Sequence, residues 1–333
     1  MKGFVHGGHA GLKGLSLKEQ LAEQEPQHGE VKIKLKAAGL NHRDLFIPDR
    51  HDPEEADVIL GSDGAGVVIS VGEGVKEIQE GDEVIINPGL GWEKNAPIPP
   101  EGFQIVGFPG HGTFAETIVV PEGNVVKKPE SLTFEEASVI GLAGLTAYRS
   151  LFTRGQLRSG QTVFIPGIGG GVATFLLKFA KAAGARVIVS SRSEEKRQLA
   201  LTLGADRALA DDADWIEETT NEKVDLVIES VGAATFNRSL EVLEKGGTLV
   251  IFGSSTGDKI EFDLRTFFYG QYNLLGSTMG SSEEFHDMVA FINEHSIKPV
   301  MDKIYDFQEI KEAFTHLNSS HQFGKLAVRL AEK

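Results

Sequence analysis

The chain contains no cysteine. That absence removes disulfides, thiol nucleophiles, thiolate-held iron–sulfur clusters and every cysteine-built zinc site at once. Positive charge is also in short supply. Lys and Arg total 33 against 48 Asp and Glu, a net charge of −15 over 333 residues. Nucleic-acid binding needs clustered cations to displace counterions, and anionic membrane surfaces ask for the same, so neither partner is expected. No stretch approaches the ~18–20 consecutive apolar residues of a membrane span. The opening MKGFVHGGHA lacks the apolar centre of a signal peptide, so the expected compartment is the cytoplasm. What the chain has in excess is glycine, 39 residues, where a usual composition of ~7% would give about 23. At about 150 residues per domain, the length points to two domains.

Patterning along the chain changes once. Over the first ~120 residues, short apolar runs alternate with glycine turns, as in a small β barrel or sandwich. Val31–Lys36 alternates apolar and charged residues and predicts a half-buried strand. Gly64–Val71 is continuously apolar and predicts a strand buried on both faces. Glu83–Asn87 and Ala115–Val120 predict two more, and the Pro/Gly-rich stretch Asn87–Gly112 reads as a long surface loop. Helices are expected at Phe134–Ser138 and Thr146–Leu151. From Val163 onward strand and helix alternate. Strands are expected at 163–165, 186–190, 224–230 and 247–253, and helices at 170–183, 194–205 and 235–243. This rhythm argues an α/β fold with a doubly wound parallel sheet. The tail returns to a different pattern, with helices at 282–294 and 308–318 and strands at 303–305 and 325–330.

The strongest local signal is Pro166-Gly-Ile-Gly-Gly-Gly-Val-Ala173. It sits between a predicted strand and an amphipathic helix, with a second strand within ~30 residues, which is the context of a dinucleotide fingerprint. Missing β-carbons at Gly167, Gly169, Gly170 and Gly171 let backbone approach a pyrophosphate, and the helix beginning near Val172 offers free N–H groups to the anion. After the second strand, an NAD site usually carries Asp or Glu about 20 residues on, to hold the ribose 2′-hydroxyl. Here the run is Ser190-Ser191-Arg192-Ser193. Arg192, helped by Ser191 and by Lys196, suits a 2′-phosphate, so the expected cofactor is NADPH. The bland alternative is that Arg192 is a solvated loop charge. Val231, Phe252, Gly253, Ser277 and Thr278 fall at predicted C-terminal strand ends, where ligands of a parallel sheet bind.

These residues resemble the medium-chain dehydrogenase/reductase superfamily over nearly the whole chain. The resemblance is carried by Gly39-Leu-Asn41-His-Arg-Asp44, by the spaced glycines Gly61–Gly66 and Gly72 with Val75, and by Glu80–Val84 and Gly112–Glu116. Thr146-Ala-Tyr148, Gly167–Ala173 (in the form seen in quinone oxidoreductases) and Gly324-Lys325 complete it. It implies a GroES-like barrel over 1–123, completed by 291–333, with a Rossmann domain over 124–290. It also implies that Thr146 lies under the nicotinamide, beside Tyr148 unless that ring is core, and that Lys325 belongs to the cofactor site. By the same resemblance Leu274–Met279 pairs across a homodimer. Zinc-dependent members hold their catalytic metal with Cys, His and Cys. The matching positions here are Asn41, Ser62 and Leu142, so no metal is expected. An improvised site of His42, His51 or His111 with Asp63 is the weaker alternative.

Without a Lewis acid, the suitable substrates spread negative charge by themselves: quinones, or α,β-unsaturated carbonyls reduced at the β-carbon. The expected function is therefore NADPH-dependent, zinc-independent hydride transfer to such a small molecule. Alcohol/aldehyde interconversion at a rebuilt site, or NADPH binding without turnover, are the alternatives. The candidate catalytic residues are Asn41 as a hydrogen-bond donor to a carbonyl, Arg43 as an oxyanion stabiliser, and the acids Asp44 and Asp63, which orient neighbours. Phe46, Phe108, Phe267 and Phe268 are candidates for an apolar pocket or for simple packing.

Overall fold

A computed structural model of the chain describes residues Met1–Leu330. It separates into two compact units. The first comprises Met1–Leu145 and resumes at Gly280; the second is Thr146–Met279. The change of pattern read from the sequence lies nearer residue 123, and the unit boundary falls inside the helix Gly141–Tyr148.

The first unit is built around a seven-stranded sheet. Val125–Lys127, Glu83–Ile86, Asp63–Val71, Glu30–Gly39, Lys325–Arg329 and Met301–Asp306 follow one another in that order, and Thr117–Pro121 also pairs with Glu30–Gly39. Neighbours are antiparallel except Met301–Asp306 and Lys325–Arg329, which run parallel. Val31, Ile33 and Leu35 point into one apolar cluster with Val68, Val84 and Ile118, as the alternation predicts. A second cluster gathers Phe4, Leu40, Phe114, Phe314, Leu326 and Val328. The helix Ser282–Glu294 starts where expected because Ser281 and Glu284 form a reciprocal capping box.

Some readings are corrected. Asp63–Val71 is buried at Asp63–Gly66 and at Val68; Ile69 and Val71 are exposed, where the strand has passed the end of Glu83–Ile86 and pairs with Glu30–Gly39 alone. Asn87–Gly112 is not a bare surface loop. It carries a small hairpin, Gly89–Leu90 with Gln104–Ile105, and buries Trp92 and Val106. An N-terminal three-stranded sheet, Leu15–Lys18, Gly3–His6 and Val58–Ile59, was not expected.

The second unit is a six-stranded parallel sheet in the order Arg207–Ala210, Arg186–Ser191, Thr162–Ile165, Val224–Glu229, Leu243–Ile251, Asn273–Gly276. The chain order reverses between Thr162–Ile165 and Val224–Glu229, which makes their C-terminal ends the switch point where such sheets bind ligands. The helix expected at 170–183 is Gly171–Ala182, with Phe175, Leu176 and Phe179 buried. The expected helix at Thr146–Leu151 is instead the end of Gly141–Tyr148 followed by a π-helix, Arg149–Arg154. Arg207–Ala210, Trp215–Thr219 and Leu264–Gly270 are elements the pattern did not announce. No helix among the described residues is long and apolar enough to cross a membrane.

Candidate functional site

In the second unit, the glycine loop occupies the switch point. Gly167 (φ 74°) and Gly169 (φ 142°) both take the left-handed conformations that side chains resist. A β-carbon on Gly167 would stand 2.6 Å from Val231 Cγ2, so the loop after the first strand lies directly against the loop after Val224–Glu229. Around Gly170 there is open space, and the helix Gly171–Ala182 begins there with no side chain capping its first N–H groups. Those donors and that space fit a pyrophosphate.

The second loop is held by a residue the sequence reading missed. Glu229 is fully buried at the strand end, and its carboxylate accepts from Val231 N (2.7 Å), Gly232 N (3.1 Å), Thr235 Oγ1 (2.9 Å) and Ser239 Oγ (2.7 Å). A glutamate closing the apolar run VDLVIES was the available clue. Ser277 N donates to Ile251 O at 2.8 Å and Thr256 Oγ1 to Val231 O at 2.7 Å, so the loops after three strands are tied together. Phe252 and Gly253 begin the loop after Leu243–Ile251, and Thr278 follows Ser277 beyond Asn273–Gly276.

At the end of the second strand, Ser191 Oγ accepts from Ser193 N, and Ser193 caps the helix Glu194–Thr202. Arg192 is exposed and has no hydrogen bond or ion pair among the described residues. Lys196 lies across the glycine loop; a β-carbon on Gly169 would be 2.9 Å from its Cδ and 3.2 Å from its Nζ. Two cations thus lie near the end of the strand, where an NAD site usually carries the carboxylate that holds the ribose 2′-hydroxyl. Thr146 is buried, and Tyr148 packs on Phe152 and Phe179 as a core ring does.

In the first unit, Asn41, Asp44, Ser62, Asp63, Leu142 and Lys325 converge. Pairing of Gly39 with Asp63 across the sheet places Asn41, two residues on, beside the start of Asp63–Val71. Asn41 Nδ2 donates to Asp63 Oδ2 (2.9 Å) and to Ser62 Oγ (3.4 Å). Its Oδ1 accepts from Lys325 Nζ at 2.5 Å. Asn41 therefore spends its amide within the cluster. Lys325 Nζ also donates to Leu40 O at 2.7 Å and lies 3.6 Å from Asp63 Oδ2. Asp63 Oδ1 accepts from Leu142 N at 2.7 Å. Asp44 Oδ2 accepts from Asn41 N at 2.8 Å, while its Oδ1 is buried without a partner.

Burial governs the ionisation of this cluster. It pushes Asp44 up to about 7, against the pull of Arg43 and the Asn41 N–H. It pushes Asp63 up, with Lys325 pulling it back, and Lys325 down, with Asp63 and Asp44 pulling it back. Arg43 donates to Val106 O at 3.0 Å, which leaves most of its fork available, and it stays charged at any ordinary pH.

A catalytic zinc does not fit the side chains at its three positions. The amide of Asn41 and hydroxyl of Ser62 are weak zinc ligands, and Leu142 is none. The improvised alternative is not assembled either. His51 Nδ1 faces His6 Nδ1 at 2.7 Å, and His111 Nδ1 accepts from Ile59 N at 3.2 Å. No group of three or more metal-ligating side chains occurs among the described residues. The four phenylalanines do not form one pocket in either unit. Phe46 is exposed, Phe108 packs edge-on to His51, Phe267 joins the core with Phe262, and Phe268 lies against Tyr269 at the surface.

Comparison with known proteins covers almost the whole chain. The alcohol dehydrogenase GroES-like domain family matches residues 27–130, and the zinc-binding dehydrogenase family matches 171–294. A zinc-type alcohol dehydrogenase-like protein of Schizosaccharomyces pombe is 34% identical over 98% of each chain. A crotonyl-CoA reductase of Streptomyces collinus is 31% identical, over 81% of this chain and 67% of its own. Among solved structures, an NAD-dependent alcohol dehydrogenase superposes with a TM-score of 0.92 at 34% identity, covering 99% of this chain and all of the other.

Proposed function

The chain belongs to the medium-chain dehydrogenase/reductase superfamily, and from that premise we propose that it is an NADPH-dependent, zinc-independent reductase of α,β-unsaturated carbonyls or quinones. One observation carries this reading: the three positions where zinc members hold their catalytic metal are filled by Asn41, Ser62 and Leu142, bound into a cluster around Lys325. Without a metal to polarise a simple carbonyl, a substrate that delocalises its own negative charge is favoured. Crotonyl-CoA, named in one relative, is an α,β-unsaturated thioester of that kind.

NADPH supplies a hydride when bound. The chain's residues do the rest. The open glycine loop and the uncapped helix N-terminus take the pyrophosphate, and Arg192 with Lys196 takes the 2′-phosphate. Arg43, permanently charged and only partly engaged, stabilises an enolate or quinol oxyanion. Asp44, whose carboxyl titrates near neutrality, holds a proton at the otherwise unpartnered Oδ1. Asn41 and Asp63 hold these groups in register. We further propose a cytoplasmic homodimer joined along the sheet edge Asn273–Gly276, where Leu274 is exposed and Leu264, Phe268 and Tyr269 add exposed apolar surface.

The test is NADPH and NADH oxidation against a quinone, an enone and a simple aldehyde. NADPH-dependent turnover of the first two and little of the third is expected. Equal use of NADH, or a preference for the aldehyde, overturns the reading; activity with none favours a binding protein.

A further inference from the structure

Two histidines of the first unit meet outside the polar cluster of Asn41. His6 ends the strand Gly3–His6 and is fully buried; His51 follows the turn Ile47–Asp49 and is 5% exposed. Their rings stand nearly perpendicular, and Nδ1 faces Nδ1 at 2.7 Å. The outer nitrogens fix the tautomers. His6 Nε2 lies 3.1 Å from Gly11 O, and His51 Nε2 lies 3.1 Å from Ala56 O. A carbonyl oxygen only accepts, so each Nε2 carries a hydrogen. A neutral imidazole has a single N–H, so two neutral rings would aim bare lone pairs at each other across a hydrogen-bond distance. One added proton turns that repulsion into a charge-assisted hydrogen bond.

We propose that His6 and His51 share one proton between their Nδ1 atoms, and that this single positive charge latches the loop 49–57 onto the strand Gly3–His6. The loop leads directly from the helix Arg43–Phe46, so the latch acts on the chain just after Arg43 and Asp44. Gly8 N donates to Pro53 O at 3.0 Å beside it. The surroundings suit one charge and not two. Burial and the charge of His51 push His6 down, while the carbonyls of Gly11 and His9 and the carboxylate of Asp49 pull it back. Asp57, beside Gly7, is paired with Lys18. His111, whose Nδ1 accepts from Ile59 N, is pushed down by its own burial. Arg50 is exposed, and Phe108 closes the side of His51 edge-on. The folded pair thus keeps one proton where an unfolded chain keeps none, and refuses a second where an unfolded chain takes two. The stability it brings peaks near the ordinary histidine value of 6.5. It is lost as pH falls, because the unfolded histidines take up the second proton, and as pH rises, because the shared proton leaves.

The first measurement reads the proton itself. Nitrogen-15 NMR of the full chain with labelled histidine rings is recorded between about pH 5 and 8. Near pH 7 both Nε2 atoms are expected to be protonated, with one proton divided between the two Nδ1 atoms. A ring with hydrogen on Nδ1 and none on Nε2 would mean a neutral pair that has given up a carbonyl bond, and would overturn the proposal. Two complete Nδ1–H groups near pH 7 would do the same, since two cations cannot bond to each other.

The second measurement reads the latch. Hydrogen exchange of the peptide spanning 49–57 is compared between wild type and His6→Leu/His51→Leu at equal pH, which cancels the intrinsic pH dependence of exchange. Wild type is expected to exchange several-fold more slowly than the variant near pH 6.5, and the gap to narrow at about pH 5. A gap of the same size at both pH values marks an ordinary buried contact, and no gap at either marks a loop held by other bonds; both results sink the latch. Should the double variant not fold, the ring spectrum of wild type decides alone. Neither readout involves substrate or cofactor, so both stand or fall separately from the reductase assay.

Discussion

The glycine loop of the second unit and the polar cluster of the first are built on opposite principles. The loop Gly167–Gly171 works by leaving side chains out: its backbone bends through left-handed conformations, and the space around Gly170 stays empty for a ligand. The cluster of Asn41, Asp44, Asp63 and Lys325 works by filling space with polar side chains that nearly satisfy one another. The first leaves uncapped N–H groups and open space that fit an anion. The second already binds its cation and its carboxylates to one another within the fold. A substitution in the open space at Gly170 should therefore cost binding and leave stability alone, whereas substitutions in the cluster should do the reverse.

The largest effect expected is that of Asp63→Ala. It strands Lys325 in a buried site, and breaking a buried pair from one side costs about 3–5 kcal/mol. Urea unfolding should show that loss while NADPH affinity stays within about twofold. A variant as stable as wild type would erase the contrast. Next comes Gly170→Val, which fills the open space of the loop without meeting a neighbour, at a backbone conformation that valine accepts. NADPH affinity is expected to fall roughly 100-fold, equivalent to about 2.7 kcal/mol, with little change in the urea midpoint. A matching drop in stability would mean that the loop is as much scaffold as binding site.

Arg192→Ala sharpens the comparison within the second unit. Affinity for NADPH should fall about tenfold with NADH unaffected, since only the former carries the 2′-phosphate. Fluorescence titration with both cofactors reads this directly, and unchanged NADPH binding would remove Arg192 from the site.

The smallest effect concerns pH. The Asp44 carboxyl is held near 7 in the folded chain against an ordinary value of 3.8, chiefly by burial. The folded state thus binds this proton more tightly than the unfolded state. The stability it brings is present below the ordinary value and is lost as pH rises through 7. Between pH 6 and 7 wild type should lose about 1 kcal/mol more than Asp44→Asn. Parallel stability curves for the two proteins would refute this.

Much of the second unit could be read from sequence because its signals are local. The helix Gly171–Ala182 shows its apolar stripe, and Thr162–Ile165 and Arg186–Ser191 are apolar runs bounded by turns. Arg207–Ala210 escaped because a four-residue edge strand has no room for periodicity. Leu264–Gly270 escaped because Leu264 and Phe268 face outward, so no buried stripe marks it. In the first unit Val31–Lys36 was readable as a strand, yet the partners of Asn41 were not. The hydrogen bonds that Asn41 donates to Asp63 and accepts from Lys325 are set by sheet register over long separations, and composition holds no trace of them. The family resemblance named Asn41 and Ser62 as vacated ligand positions, but only the fold shows what surrounds them.

The strand Lys325–Arg329 lies between Glu30–Gly39 and Met301–Asp306, so the first unit is stitched from both sides of the second. On a translating ribosome this sets an order of events. Glu30–Gly39 emerges early and waits with one edge open while all of Thr146–Met279 is made. The parallel sheet can settle in that interval, since its strands arrive together. Asn41 and Asp63 remain without their cation until the strand that carries it slots in. The nascent first unit keeps an unpaired strand edge during that wait, and any truncation that deletes this strand removes the pocket's cation along with the strand that pairs with that edge.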